Sequence, residues 1–392
     1  MKKKILSLLL ALCLVVGLLP MIAMAEEVTI PEKYIRVQVL QGTETAFWGD
    51  VYMAPGNPTM YLVTNEAGAA AEGTAENWNI KMEYPADGTA TLTFKGAYLC
   101  SAYTKTPLQI NANVDLKIVV ETDSTIFSDV KGVGIHLVNS GKTTITGPGK
   151  LTVKTTNAFG IWATTSVDKL DGGSVLIKDI NMDIQVGTAG SYYGALYFTG
   201  GDMTIDNSKI NIVSNADTTM GIWGHAVYKK DANGVVTSIT STNKGSDTDT
   251  TKRNLIIQNG SVITGAITGK NGLGCTGDII IKDSTVDLSV SGTATVLTKK
   301  PVLEGNYTAI ASENADGSGA VTFDENNYTK YKYFKITPKA ETPAPSEPTT
   351  PAPGGTTNPS TGDTFSVALV ATLALASLAT LAVTVIGKKK AI

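Results

Sequence analysis

Four side chains recur at one place in a repeated phrase of this sequence and could act together: His136, Trp162, Leu196 and Trp223. Each follows a segment of the form apolar-Gly-apolar: Val133-Gly134-Ile135, Phe159-Gly160-Ile161, Tyr193-Gly194-Ala195 and Met220-Gly221-Ile222. Successive side chains of an extended strand alternate between its faces. The residues flanking the glycine should therefore point inward and the next residue outward. Flat or apolar side chains displayed in register suit stacking on sugar rings, so the row is a candidate glycan platform. Tyr192, Tyr197 and Phe198 lie in the same neighbourhood. The competing expectation is that the polar stretch 224–252 folds over the row and buries it.

Other chemistry is poorly provided for. A row of Gly96, Gly147, Asp179, Asn207, Asn259 and Asp283 suits tight corners, because Gly, Asn and Asp tolerate left-handed backbone. Asp179 and Asp283 stand at least three repeats apart, roughly 14 Å at about 4.8 Å per strand, farther than a glycosidase pair. His136 and His225 are not spaced as metal ligands, and Asn314-Ala315-Asp316-Gly317 reads as a hairpin turn before a calcium loop, so no cofactor is expected. The chain has two arginines, Arg36 and Arg253, and a formal net charge of -3, which gives no electrostatic case for nucleic acid. Cys100 and Cys275 would lie at least five repeats apart, about 24 Å, whereas bridged Cα atoms lie about 4.4–6.8 Å apart. Two free thiols are expected.

The elements that would position the aromatic row are short strands. Phe94, Ile118, Ile145, Ile177, Ile205, Ile257 and Ile281 each anchor a first strand, at spacings of 24, 27, 32, 28, 52 and 24 residues. The glycine follows its anchor by 15 to 17 residues in five units, the last being Leu273-Gly274-Cys275. A unit of this length with no helical period suits one coil of a parallel β-helix, whose inward residues stack into apolar ladders. A β-propeller would need blades of about 40 residues. The 52-residue interval contains 224–252, either a degenerate coil or a protruding loop. Residues 26–88 should form a β cap, with Trp48 and Trp78 in its core, and the repeat should run over 89–338 with closing strands near 321–323 and 331–336. An uncovered end would leave a strand edge open.

The two ends of the chain read as addresses. Met1-Lys2-Lys3-Lys4, the apolar run Ile5 to Ile22 and Ala23-Met24-Ala25 have the parts of a secretory signal, with cleavage expected after Ala25. Residues 339–357, rich in Pro and Thr, should form an extended linker. Asn358-Pro359-Ser360-Thr361-Gly362, an uncharged run from Thr364 to Gly387 and Lys388-Lys389-Lys390 follow. Twenty-four residues suffice to span a hydrocarbon core of about 30 Å as a transmembrane helix. This tail, 358–392, resembles the cell-wall sorting signal of Gram-positive surface proteins, with Asn358 where the commonest motif has Leu. The resemblance implies that a sortase thiolate attacks the Thr361 carbonyl, releases Gly362 onward and joins Thr361 to the amine of a peptidoglycan precursor.

From Trp78-Asn79-Ile80-Lys81 to Tyr333-Phe334-Lys335-Ile336, the repeat region resembles exported β-helical carbohydrate-binding domain proteins of Firmicutes. That implies a right-handed parallel β-helix of the pectin lyase-like kind. The Asp clusters and basic residue of the pectin lyase-like enzymes have no counterpart on adjacent coils. The expectation is an all-β, wall-anchored surface protein that binds glycan and is a substrate of sortase. The alternatives are a protein-binding adhesive stalk and a polysaccharide lyase or hydrolase.

Overall fold

The computed structural model describes residues 30–339, apart from 43–44, 50, 103–105, 130–131, 167, 171, 188–193, 216–218, 226, 234–235 and 241–251. The amino-terminal segment 1–25, the linker beyond Lys339, Asn358 to Gly362 and the apolar run after them lie outside the described residues. Among the described residues no helix is long and apolar enough to cross a membrane.

Residues 90–304 wind into a parallel β-solenoid of about six turns, each giving one strand to each of three sheets. The first sheet stacks Ala90–Lys95, Leu116–Thr122, Thr143–Thr146, Val175–Lys178, Met203–Asp206, Leu255–Gln258 and Ile279–Lys282. The second runs from Tyr98–Ser101 to Thr285–Val290. The third, which carries the aromatic row, stacks Leu108–Ala112, Ile135–Asn139, Ile161–Thr164, Gly194–Phe198, Met220–Gly224 and Asn271–Cys275.

Alternation drives the packing. Ile118, Ile145, Ile177, Ile205, Ile257 and Ile281 pair in one continuous row, each at most 1% exposed. The first member is Leu92, not Phe94: Leu92 pairs with Ile118, and Phe94 with Val120 just before a register shift. At the corner two residues on, the backbone enters the left-handed region at Asp179, Asn207, Asn259 and Asp283, with φ between 44° and 57°. The amides also tie neighbouring turns, with Asn207 Nδ2 donating to Asp179 Oδ1 at 2.6 Å and Asn259 Nδ2 to Asp206 Oδ2 at 3.0 Å. Behind the corner, buried serines close the gap. Ser208 and Ser261 donate to backbone carbonyls of their own turn and accept N–H groups of Ile180 and Ser208 from the previous turn.

Antiparallel strands lie at both ends. Ile35–Gln41 pairs with Leu108–Ala112, while Asn57–Thr64 and Ile80–Tyr84 extend the first sheet. Trp48 is buried in the core. Trp78 is half-buried, with the ammonium groups of Lys81 and Lys95 5.0 and 5.4 Å from its ring. At the other end Tyr307–Ser312 and Tyr333–Pro338 continue the second sheet. Within 224–252, Val227–Lys230 and Val236–Thr240 form an antiparallel hairpin with a two-stranded sheet of its own. It leaves the solenoid after one third-sheet strand and returns to the next first-sheet strand, so it is a protrusion and not a degenerate coil.

Cys100 and Cys275 are free. They occupy different sheets at opposite ends of the stack, and burial pushes the Cys275 thiol up to about 11.

Candidate functional site

Strand register decides which residues belong to the aromatic row. Ile135, Ile161, Leu196, Ile222 and Leu273 pair along the inward face of the third sheet and are at most 1% exposed. One residue further along each strand, His136, Trp162, Tyr197, Trp223 and Gly274 pair along the outward face. Leu196, expected in the platform, is therefore core, and Tyr197 stands in its place. The cause is one longer interval in the sequence. The anchor lies 16 or 17 residues before its inward third-sheet partner in the other turns, but 19 from Ile177 to Leu196. Glycine spacing hid this, since Gly194 pairs with Met220 and Gly274 with Trp223.

Phe159 also departs from alternation. It was expected in the main core, and it packs instead with Tyr197 and Met220 in a separate buried cluster, against which Val133, Trp162 and Trp223 rest. Gly160 explains the change. A Cβ there would lie 2.5 Å from Ile184 Cγ2 and 2.6 Å from the Ala195 carbonyl oxygen. Backbone alone fills that inward corner, and the preceding side chain is turned to the outer face.

The row is self-stacked. His136 and Trp162 lie face to face, with centroids 4.6 Å apart and planes inclined by 20°. Tyr197 meets Trp162 near a right angle at 6.4 Å, and Phe159 lies 4.6 Å from Tyr197. Trp223 covers Gly274, where a Cβ would sit 2.1 Å from the indole Cζ3. Neighbouring strands about 4.8 Å apart press successive rings together. Complete burial under the insertion is not observed: His136, Trp162 and Trp223 stay half-buried, while Phe159, Tyr197 and Met220 are buried.

Burial sets the electrostatics of this face. His136 Nε2 and Trp162 Nε1 are buried without a hydrogen-bond partner. Desolvation pushes the His136 imidazole down to about 4. Burial also raises the Tyr197 phenol, against a smaller opposing effect of Arg253. His225 is lowered by burial first and then by Arg253. Arg253 itself is completely buried and its Nε donates to the Thr199 carbonyl at 2.9 Å, at the point where the hairpin insertion rejoins the solenoid. Its signal in the sequence was a single arginine between a polar insertion and an apolar strand.

Among the described residues no three His, Cys, Asp or Glu side chains converge as a metal site. Asn314 to Gly317 forms the expected turn: Gly317 N–H donates to the Asn314 carbonyl at 3.1 Å, and Ser318 N–H to Asp316 Oδ1 at 2.9 Å. Asp179 and Asp283 stand three turns apart, each at a corner. This geometry offers ring surface and hydrogen bonds, and three turns hold Asp179 and Asp283 too far apart to work as an acid and base pair. Comparisons with protein-family models, with curated proteins and with solved structures found no match to this chain.

Proposed function

We propose that this chain is an exported, wall-anchored surface protein whose solenoid binds carbohydrate without transforming it. The observation that supports glycan binding best is the in-register outward row His136, Trp162, Tyr197 and Trp223, three of whose members keep partial exposure. A row that climbs the solenoid one residue per turn can follow an extended sugar chain, with the half-buried rings covering its apolar C–H surface. We take the winding to be right-handed, because crossovers between parallel strands are so in about 98% of cases. On a glycan array, Trp162→Ala and Trp223→Ala should each weaken the best ligand about tenfold, on the order of 1.4 kcal/mol. Binding unchanged in both would place the site elsewhere, and a protein that captures no glycan would favour the adhesive stalk.

Surface attachment rests on the order of signal segment, linker, Asn358 to Gly362, apolar run and lysine tail. The partners in that step are a sortase and a peptidoglycan amine, with the membrane holding the precursor. Thr361→Ala should leave the protein in the membrane fraction and remove it from the wall fraction. Wall linkage that survives the substitution would refute the sorting step.

A further inference from the structure

A cleft of about 470 Å³ lies beside the aromatic row, between the amino-terminal strands, the outer face of the third sheet and the loop that follows Ile161–Thr164. One wall is aromatic. Tyr34 and Tyr52 meet nearly edge to face, 5.3 Å apart at 71°, and the Arg36 guanidinium lies 5.6 Å from the centre of the Tyr52 ring. Asn111 and Val138 make the floor, and Ser140, Ser166, Asp168 and Lys169 supply the polar wall.

Both walls are held in place. Tyr34 N–H donates to Asn113 Oδ1 at 2.9 Å, and Asn113 N–H donates back to the Tyr34 carbonyl at 3.3 Å. Opposite, Thr165 Oγ1 donates to the Lys169 carbonyl at 2.7 Å, and Lys169 N–H donates to the Ser166 carbonyl at 3.2 Å. A concave site of a few hundred Å³ whose walls are set before binding avoids much of the ordering cost of association.

We infer that this cleft is a second carbohydrate site, distinct from the aromatic row, and that it takes one or two rings of a neutral sugar. The inference rests on the glycan reading above. A pyranose has an apolar C–H face, which the tyrosine wall can cover, and a rim of hydroxyls that both donate and accept. Asn111, Ser140 and Ser166 match that rim with amide and hydroxyl groups, while Asp168 accepts and Lys169 donates. Charges of both signs line the cleft, which suits hydroxyls better than an anion. Val138 follows His136 by two residues on one strand, so both face outward about 7 Å apart. A sugar chain seated in the cleft would continue over His136 onto the row.

The test is titration of the full chain, by saturation-transfer NMR and calorimetry, with cellobiose, lactose, maltose and diacetylchitobiose. At least one disaccharide should bind. Ser166→Trp, which fills the cleft from its loop, and Asp168→Ala, at an exposed carboxylate, should each weaken it at least tenfold with unchanged thermal midpoints. Trp223→Ala should weaken longer oligosaccharides and spare the disaccharide. Disaccharide binding lost in Trp223→Ala but kept in Ser166→Trp would overturn the cleft and assign that sugar to the row. Oligosaccharides that bind while no disaccharide does would overturn the cleft and leave the glycan reading standing. No binding of any sugar would overturn both.

Discussion

Gly147→Ala is expected to destabilise the protein by about 3 kcal/mol. The φ at Gly147 is 139°, and a Cβ there would lie 2.2 Å from the Val120 carbonyl oxygen and 2.7 Å from Val120 C and N. Every one of these atoms is backbone of the preceding turn, so no rotamer change can relieve the overlap. Thr146 is paired with Val119 in the parallel ladder, which holds the two turns at their spacing. Overpacking of this kind costs about 1–3 kcal/mol, and a backbone poorly suited to an L-residue adds about 1–2 kcal/mol. The contrasting variant is Asn207→Gly, at a corner whose φ of 44° glycine adopts freely; with the exposed Asn207–Asp179 hydrogen bond lost as well, its net effect should stay within about 1–2 kcal/mol. Denaturant unfolding of the two variants beside the parent protein measures this. Equal stability of Gly147→Ala and Asn207→Gly would sink the explanation. Each turn of a solenoid contacts mainly its neighbours, so hydrogen exchange in Gly147→Ala should quicken first in Leu116–Thr122 and Thr143–Thr146.

Acidification should weaken the fold through His136. Its folded pKa of about 4 lies below the ordinary 6.5, because burial disfavours the imidazolium. The unfolded chain therefore holds more proton between those values, and stability rises with pH through that window. The stabilising contribution of the neutral ring is complete above about pH 6.5 and is lost progressively as pH falls toward 4. At about 1.4 kcal/mol per pH unit, the whole window is worth on the order of 3 kcal/mol. His136→Phe keeps a flat ring against Trp162, removes the unpartnered Nε2 and takes no proton. Unfolding free energies of both proteins at pH 7 and pH 4.5 isolate the effect from the carboxylates, which are common to both. The difference between them should move in favour of the Phe variant at the lower pH, and parallel pH profiles would show that His136 does not titrate in this way.

Leu196 shows where one-dimensional reading of the row stopped. Two or three residues added in one interval move a strand's register relative to its neighbours, and local alternation then assigns each side chain to a face correctly only after that register is known. Tyr197 could not be distinguished from Leu196 by spacing from a glycine. Phe159 lay beyond pattern for a different reason, since its direction depends on Gly160 filling a corner bounded by Ile184 and Ala195 from the next turn. The cleft depended on still longer range: Tyr34, Tyr52, Asn111 and Ser166 meet because an antiparallel strand is laid on the first turn.

By contrast, the solenoid itself was legible in the sequence. Alternating apolar residues at Ile118, Ile145, Ile177, Ile205, Ile257 and Ile281 specify strands with one buried face, and after the last five of them Gly, Asp or Asn two residues later meets a backbone need that is local to the corner. Local requirements of this kind recur from turn to turn and leave a period. Which rings touch, which turn is longer and which walls enclose a cleft depend on the stacking of residues distant in the chain, and only the tertiary structure decided them.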